Sequence, residues 1–169
     1  MGKIFTPTDS DFGQSDAVVI GGGIVGTATA FWLSKAGLDV VLVEMRDGLS
    51  TLTTPASAEC FRAQFTEPAM AALAIPSIEM FEHFDEIIGI PDYNISIKQQ
   101  GYLFLTDNQE TVDDLKENVA QQHKLGVTDS QFLERKEILK RFPFVSSSVL
   151  AATFRQRDGW LSCHETTQG

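Results

Sequence analysis

The sequence predicts an α/β fold in which a parallel strand–helix–strand unit comes first and antiparallel strands with helices follow. A short apolar run, Ala17–Ile20, enters three consecutive glycines, and small or apolar residues then recur at helical spacing from Ile24 to Ala36. A second apolar run, Val40–Val43, follows, so the whole unit takes about thirty residues, the length a right-handed crossover needs. Beyond residue 90, short apolar runs alternate with turn signals and polar helical segments, as in an antiparallel sheet with helices packed on it.

Taken in order, residues 1–15 read as a polar leader. Ala17–Ile20 is expected to be a buried parallel strand. In the helix that follows, Ala28, Ala30, Phe31 and Leu33 repeat at helical spacing and Gly37 is placed to end it. Val40–Val43 is the second expected buried strand. Residues 48–66 (GLSTLTTPASAECFRAQFT) have no period and predict a long loop, a length usually tied to function. From Glu67 to Ile88 the residues Met70, Leu73, Met80, Phe81, Phe84 and Ile88 fit one helical face, with a kink at Pro76. Ile95–Ile97 and Tyr102–Thr106 flank a KQQG turn and predict a hairpin. A polar helix over Asn108–Leu125, with Val112, Leu115, Val119 and Leu125 inward, ends at Gly126, and a short helix over Glu134–Arg141 stops before Pro143. Val149–Phe154 and Trp160–Cys163 are expected as strands on either side of an RQRDG turn. The expected division is 16–90 for the nucleotide-binding portion, 91–157 for the start of a second domain, and 158–169 for a return toward the first.

Thirteen basic against 23 acidic residues give a formal charge of −10 and a pI near 4.6, which repels a nucleic-acid backbone and an anionic bilayer alike. Nucleic acid is therefore not an expected partner. No run is long and apolar enough to span a membrane, and the polar, acidic start is unlike a secretory signal or an Arg-rich transit peptide, so the expected location is the cytoplasm. Cys60 and Cys163 are far apart, with no Cys/His ligand spacing nearby, which argues against both a disulfide framework and a metal site.

The motif that carries chemistry is Gly21-Gly22-Gly23-Ile24-Val25-Gly26, set between strand and helix. Gly21 permits a tight turn, Gly23 lets the backbone approach a pyrophosphate with no Cβ in the way, and Gly26 allows close helix–strand packing. The helix beginning at Ile24 and Val25 points its unpaired N–H groups and positive dipole end at the phosphates. Eighteen residues after Gly26 comes Glu44, whose carboxylate suits ribose hydroxyls and would repel a 2′-phosphate. Together these predict a site for the ADP half of a dinucleotide. Met45 and Arg46, beside the acid, and Ser57, in the long loop, complete the candidate set. Ser57 and Thr54 can contact phosphate, although loop hydroxyls mostly bond their own backbone.

The stretch GGGIVGTATAFWLSKAGLDVVLVE resembles the opening of the FAD-dependent amine and amino-acid oxidoreductases, the broad family of D-amino-acid oxidase, sarcosine oxidase and dimethylglycine dehydrogenase. Ala30, Leu33, Gly37 and Val40 meet the extended pattern. CFRAQF at 60–65, GYLFLTD at 101–107, the ERKEILKRFP segment and DGW at 158–160 are similar to the sarcosine oxidase and dimethylglycine dehydrogenase branch in order and spacing, so the resemblance runs from residue 16 to about 161. It implies a flavin that accepts a hydride from the carbon beside an amine, with a small-molecule secondary amine or N-substituted amino acid as substrate. The loop TLTTPASAECF has no His, which in this family implies non-covalent FAD. Arg62 matches the first of two arginines that flank flavin and substrate, and it is the candidate catalytic residue. Phe65 stands where the second, a carboxylate anchor, is expected. The chain stops at TTQG, about where the fold would return to its first domain, so the resemblance implies an N-terminal portion that needs the remainder of the oxidoreductase or a second subunit. Two alternatives stay open, a non-catalytic FAD-binding subunit and an NAD-dependent dehydrogenase. His83, His123, His164, Cys60 and Trp32 read as ordinary structural residues.

Overall fold

A computed structural model describes residues 14–169. Most of the expected leader lies outside the described residues. Two compact units are present, residues 14–59 with 162–169 and residues 60–161.

In the first unit, β1 (Ala17–Ile20) and β2 (Val40–Val43) pair in parallel, Ala17 opposite Val40 and Ile20 opposite Val43, with α1 (Ile24–Lys35) as the crossover. Gly37 closes α1 at φ +93, its N–H on the Ser34 carbonyl while that of Leu38 returns to Leu33. The strands expected to be buried are largely open. Ile20 is 88% exposed and Val18 58%, and no residue of α1 is buried. Two strands and one helix cover only part of their own apolar surface. Of the expected strand Trp160–Cys163 only Trp160 lies in a strand, and Cys163 already begins a helix. Ser162 caps α6 (Cys163–Gln168), accepting the Glu165 N–H at 3.2 Å, and α6 packs on α1.

In the second unit, β4 (Tyr102–Thr106), β5 (Gln131–Glu134) and β6 (Ala151–Arg155) form an antiparallel sheet in the order β4-β6-β5, while β3 (Cys60–Phe61) pairs with β7 (Gly159–Trp160). Neither expected hairpin forms. Residues 95–97 are not a strand, and β4 pairs instead with β6, Tyr102 opposite Arg155. Lys98 exchanges two backbone bonds with Trp160, at 2.7 and 2.9 Å, which draws the chain toward β7 before β4 begins. The RQRDG segment likewise sends β6 and β7 into different sheets. β6 is buried at all five positions, and Phe154 and Ala152 pack with Leu133, Ile138 and Val149.

The single helix expected over 67–88 is two, α2 (Pro68–Glu82) and α3 (Phe84–Ile88), broken at His83, while Pro76 sits inside α2. Its inward face is as expected at Phe84, which is buried, and at Phe81 and Ile88, which pack against the same cluster, but differs in the first turns of α2. Leu73 is 67% exposed and Met70 44%, whereas Ala71 and Ile78 are buried, Ile78 against Ala63 and Val127. Small side chains let the first turns of α2 approach closely, and there a pattern built on the large apolar residues picks the wrong stripe. α4 (Glu110–Lys124) lies where expected, with Val119 inward. α5 (Arg135–Arg141) follows directly on β5, a four-residue strand that the sequence did not announce.

Candidate functional site

The glycine turn is built from contacts that explain each glycine in turn. Gly21 sits at φ +106, a conformation other residues rarely adopt, and donates its N–H to the Val43 carbonyl at 2.7 Å. A Cβ on Gly26 would overlap the Gly21 carbonyl oxygen, with Val19 Cγ1 3.6 Å away, so α1 can meet β1 only with glycine there. A Cβ on Gly23 would face Thr54 Oγ1 at 3.1 Å. Gly22, which the motif reading left without a role, has no room either, since a Cβ would collide with Leu49 and lie 3.3 Å from the Glu44 carboxylate.

Glu44 closes this turn. Its Oε2 accepts the Gly22 N–H at 2.7 Å and its Oε1 the Arg46 N–H at 3.0 Å. These backbone donors, Gly22 foremost, hold the carboxyl below its usual range, so it is ionised at neutral pH. The loop after β2 folds back over the turn. The Ser50 N–H reaches the Gly22 carbonyl at 2.8 Å, and Thr54 Oγ1 accepts the Ile24 N–H at 3.2 Å. Gly21, Gly23, Ile24, Gly26, Glu44 and the Arg46 backbone are thus brought together, along with Gly22 and Thr54. Ser57 is turned to its own loop, donating to the Thr54 carbonyl at 2.7 Å and accepting the Glu59 N–H at 3.1 Å. The side chains of Val25 and Met45 are 77% and 91% exposed.

A lane without Cβ atoms, a helix N-terminus at its end and a fixed carboxylate beside it fit the pyrophosphate and ribose of a dinucleotide. In the same unit Cys163 donates its thiol to Glu59 Oε1 at 2.7 Å. Burial, then the Glu59 hydrogen bond, push that thiol up, which makes it a protonated structural group rather than a nucleophile.

Arg62 belongs to the second unit. Its guanidinium carbon lies over the rings of Phe65 at 4.7 Å, Phe104 at 5.3 Å and Tyr102 at 5.8 Å. Its Nε is buried with no hydrogen-bond partner among the described residues. Phe65, standing where the resemblance expects a second arginine, therefore forms one wall of an aromatic box around the first. Next to it is Asp158, with no exposure, ion-paired to Arg155 at 2.6 Å. The sequence reading assigned neither residue a role, and the DGW turn was the signal available. His83 lies 3.7 Å from Glu86 and His123 Nε2 contacts the Ser130 carbonyl at 2.8 Å, both ordinary helix partners.

Among the described residues no His, Cys, Asp and Glu side chains are grouped to hold a metal, and no helix is long and apolar enough to cross a membrane. The chain is similar to FAD-dependent oxidoreductase domain-containing protein 1 of Xenopus laevis, 29% identical over 93% of this chain and 33% of that protein. It is also similar to mitochondrial dimethylglycine dehydrogenase of Rattus norvegicus, 27% identical over 91% of this chain and 18% of that one. It spans a third or less of the length of these relatives. Among solved structures, L-proline dehydrogenase from P. horikoshii superposes with a TM-score of 0.82 at 33% identity, over 92% of this chain and 40% of that chain. Glycine oxidase from Bacillus cereus, at 23% identity and a TM-score of 0.76 over 92% of this chain and 42% of that chain, shares the fold. The FAD dependent oxidoreductase (DAO) family matches residues 16–169, and the chain belongs to that family, with FAD as its cofactor.

Proposed function

We propose that the chain is the portion of a flavin-dependent oxidoreductase that binds the ADP half of non-covalent FAD and begins the substrate domain, in an enzyme that oxidises the C–N bond of a secondary amine or N-substituted amino acid. The observation that carries the reading is the hydrogen bond from the Gly22 N–H to Glu44, which ties the glycine turn to the acid at the end of β2. Glu44 keeps lone pairs for the ribose hydroxyls, while the N–H groups of Gly23 and Val25 serve the pyrophosphate and that of Ile24 joins them once Thr54 Oγ1 gives way. Met45 and Arg46 flank the adenosine, and Ser57 lines the loop. Arg62 is offered to the flavin and substrate, because a guanidinium boxed by aromatic rings with an unbonded Nε is suited to an external anion or electron-rich ring. When bound, the flavin supplies the two-electron chemistry.

For the substrate class, support comes from the relatives, one named as acting on L-proline and another on dimethylglycine. Both compounds carry an alkylated amine beside a carboxylate. The open apolar side chains of Val18, Ile20 and Val43 favour a covering partner, either the remainder of the oxidoreductase or a second subunit. That observation also favours the second reading, a non-catalytic FAD-binding subunit. The location we propose is the cytosol.

The test is to purify the protein together with the proposed remainder of the oxidoreductase and mix it anaerobically with L-proline or dimethylglycine. Bleaching of the visible flavin absorbance is the expected result. A yellow protein that neither these nor other N-alkyl amino acids bleach would leave only the subunit reading.

A further inference from the structure

We infer that Asp158, acting through Gln64, is a positioning residue for Arg62; the inference rests on the reading of Arg62 as the flavin- and substrate-facing cation. Asp158 has no solvent exposure, and three donors converge on its carboxylate. Oδ1 accepts the Ala63 N–H at 2.9 Å and Arg155 Nη1 at 2.6 Å, and Oδ2 accepts Gln64 Nε2 at 3.1 Å. Arg155 is anchored in turn by its Nε on Asp129 Oδ1 at 2.7 Å. The Ala63 N–H is the peptide group directly after Arg62, so this bond fixes the direction in which the arginine leaves the backbone.

The network also holds the box that Arg62 occupies. Gln64 Nε2 makes a second bond, to the Tyr102 carbonyl at 2.9 Å, and the Gly101 N–H donates to the Asp158 carbonyl at 3.0 Å. Tyr102 and Phe104 of β4 are two of the three rings around the guanidinium. Asp158 therefore joins the segment that carries Arg62 to the strand that carries its walls. Space enforces the same junction: a Cβ on Gly159 would overlap the Lys98 carbonyl, and one on Gly101 the Phe154 ring.

Stability alone is a poor explanation for this arrangement. A buried ion pair seldom stabilises more than apolar side chains of the same volume. Gln64 moreover leaves its Oε1 buried without a partner among the described residues, a cost that a Met or Leu there would not carry. What the polar residues add is geometry.

The experiment uses the FAD-loaded protein together with the proposed remainder of the oxidoreductase and compares Arg62→Gln, Gln64→Met, Asp158→Asn and the two double variants that combine Arg62→Gln with Gln64→Met or Asp158→Asn. Three quantities are read: melting temperature, the visible flavin spectrum, and the limiting rate of flavin reduction by L-proline. Gln64→Met is expected to melt at or above the wild-type temperature, yet to shift the flavin spectrum in the direction of Arg62→Gln and slow reduction about tenfold. In the Arg62→Gln background the same change should have less than about a twofold effect, because its route of action is gone. Asp158→Asn should behave alike wherever it folds, and Gln64→Met decides the matter if it does not. Wild-type spectrum and rate in Gln64→Met, or an equal loss with and without Arg62, would overturn the inference while leaving Arg62 in the site. A silent Arg62→Gln in both spectrum and rate would instead remove Arg62 from the flavin site, overturning that reading and this one together. If L-proline is not a substrate, the spectral comparison alone gives the answer.

Discussion

Glu44 Oε2 accepts the Gly22 N–H at 2.7 Å, so the acid that ends β2 and the glycine turn that starts α1 are one hydrogen-bonded unit. The carboxylate is thereby oriented by the backbone before any ribose meets it.

Glu44→Ala should weaken FAD binding by about ten- to a hundredfold, the loss expected when hydrogen bonds to a charged group are removed. Titration of the apoprotein with FAD measures it. The carboxyl is held below its ordinary value of 4.5 chiefly by Gly22 and then by Arg46. A depressed carboxylate contributes its stabilisation above the ordinary value and loses it as pH falls through the lowered one. The turn should thus be insensitive to pH from neutrality down to about 4.5 and loosen only below that.

Gly26→Ala should destabilise the first unit by roughly 1–3 kcal/mol, the usual cost of forcing extra volume into a packed contact, because its Cβ would overlap the Gly21 carbonyl. Gly37→Ala meets open space, so only its left-handed backbone is strained, at about 1–2 kcal/mol. Urea denaturation of both variants should rank Gly26→Ala equal to or worse than Gly37→Ala, and only Gly26→Ala should also impair FAD binding.

Arg155 and Arg157, two positions apart, should differ sharply. Arg155→Ala leaves the fully buried Asp158 without its counter-ion and should cost about 3–5 kcal/mol. Arg157 pairs with Glu82 at 2.5 Å but is 45% exposed, so Arg157→Ala should cost about 1 kcal/mol or less and matter least at high salt. Denaturation midpoints of the two variants check the contrast.

Cys163 and Cys60 should also separate. Cys163 is buried with its pKa raised by that burial and by Glu59, whereas Cys60 is exposed. Brief iodoacetamide treatment of the native protein should alkylate Cys60 well ahead of Cys163, as read by peptide mass spectrometry.

The first unit was legible because its signals are local: the strand, the glycines, the helix and Glu44 lie within 28 residues, and the backbone itself demands glycine at 21 and 26. The second unit was less so because its pairings are distant. β4 chooses β6, about fifty residues on, over the neighbouring 95–97 segment, and β5 is too short to show a period. The face of α2 was misread because Ala71, not Leu73, meets the core. Asp158 reads in sequence as a turn aspartate, and its burial against Ala63 joins segments nearly a hundred residues apart.

Whether the glycine turn holds the FAD pyrophosphate is decided by the flavin content of a Gly23→Val variant of the full protein. The side chain would fill the lane beside Thr54 Oγ1 while α1 keeps its own hydrogen bonds. Gly23→Val should give a folded protein that purifies colourless and takes up no FAD on titration. A yellow Gly23→Val protein with wild-type FAD affinity would contradict it and place the phosphates elsewhere.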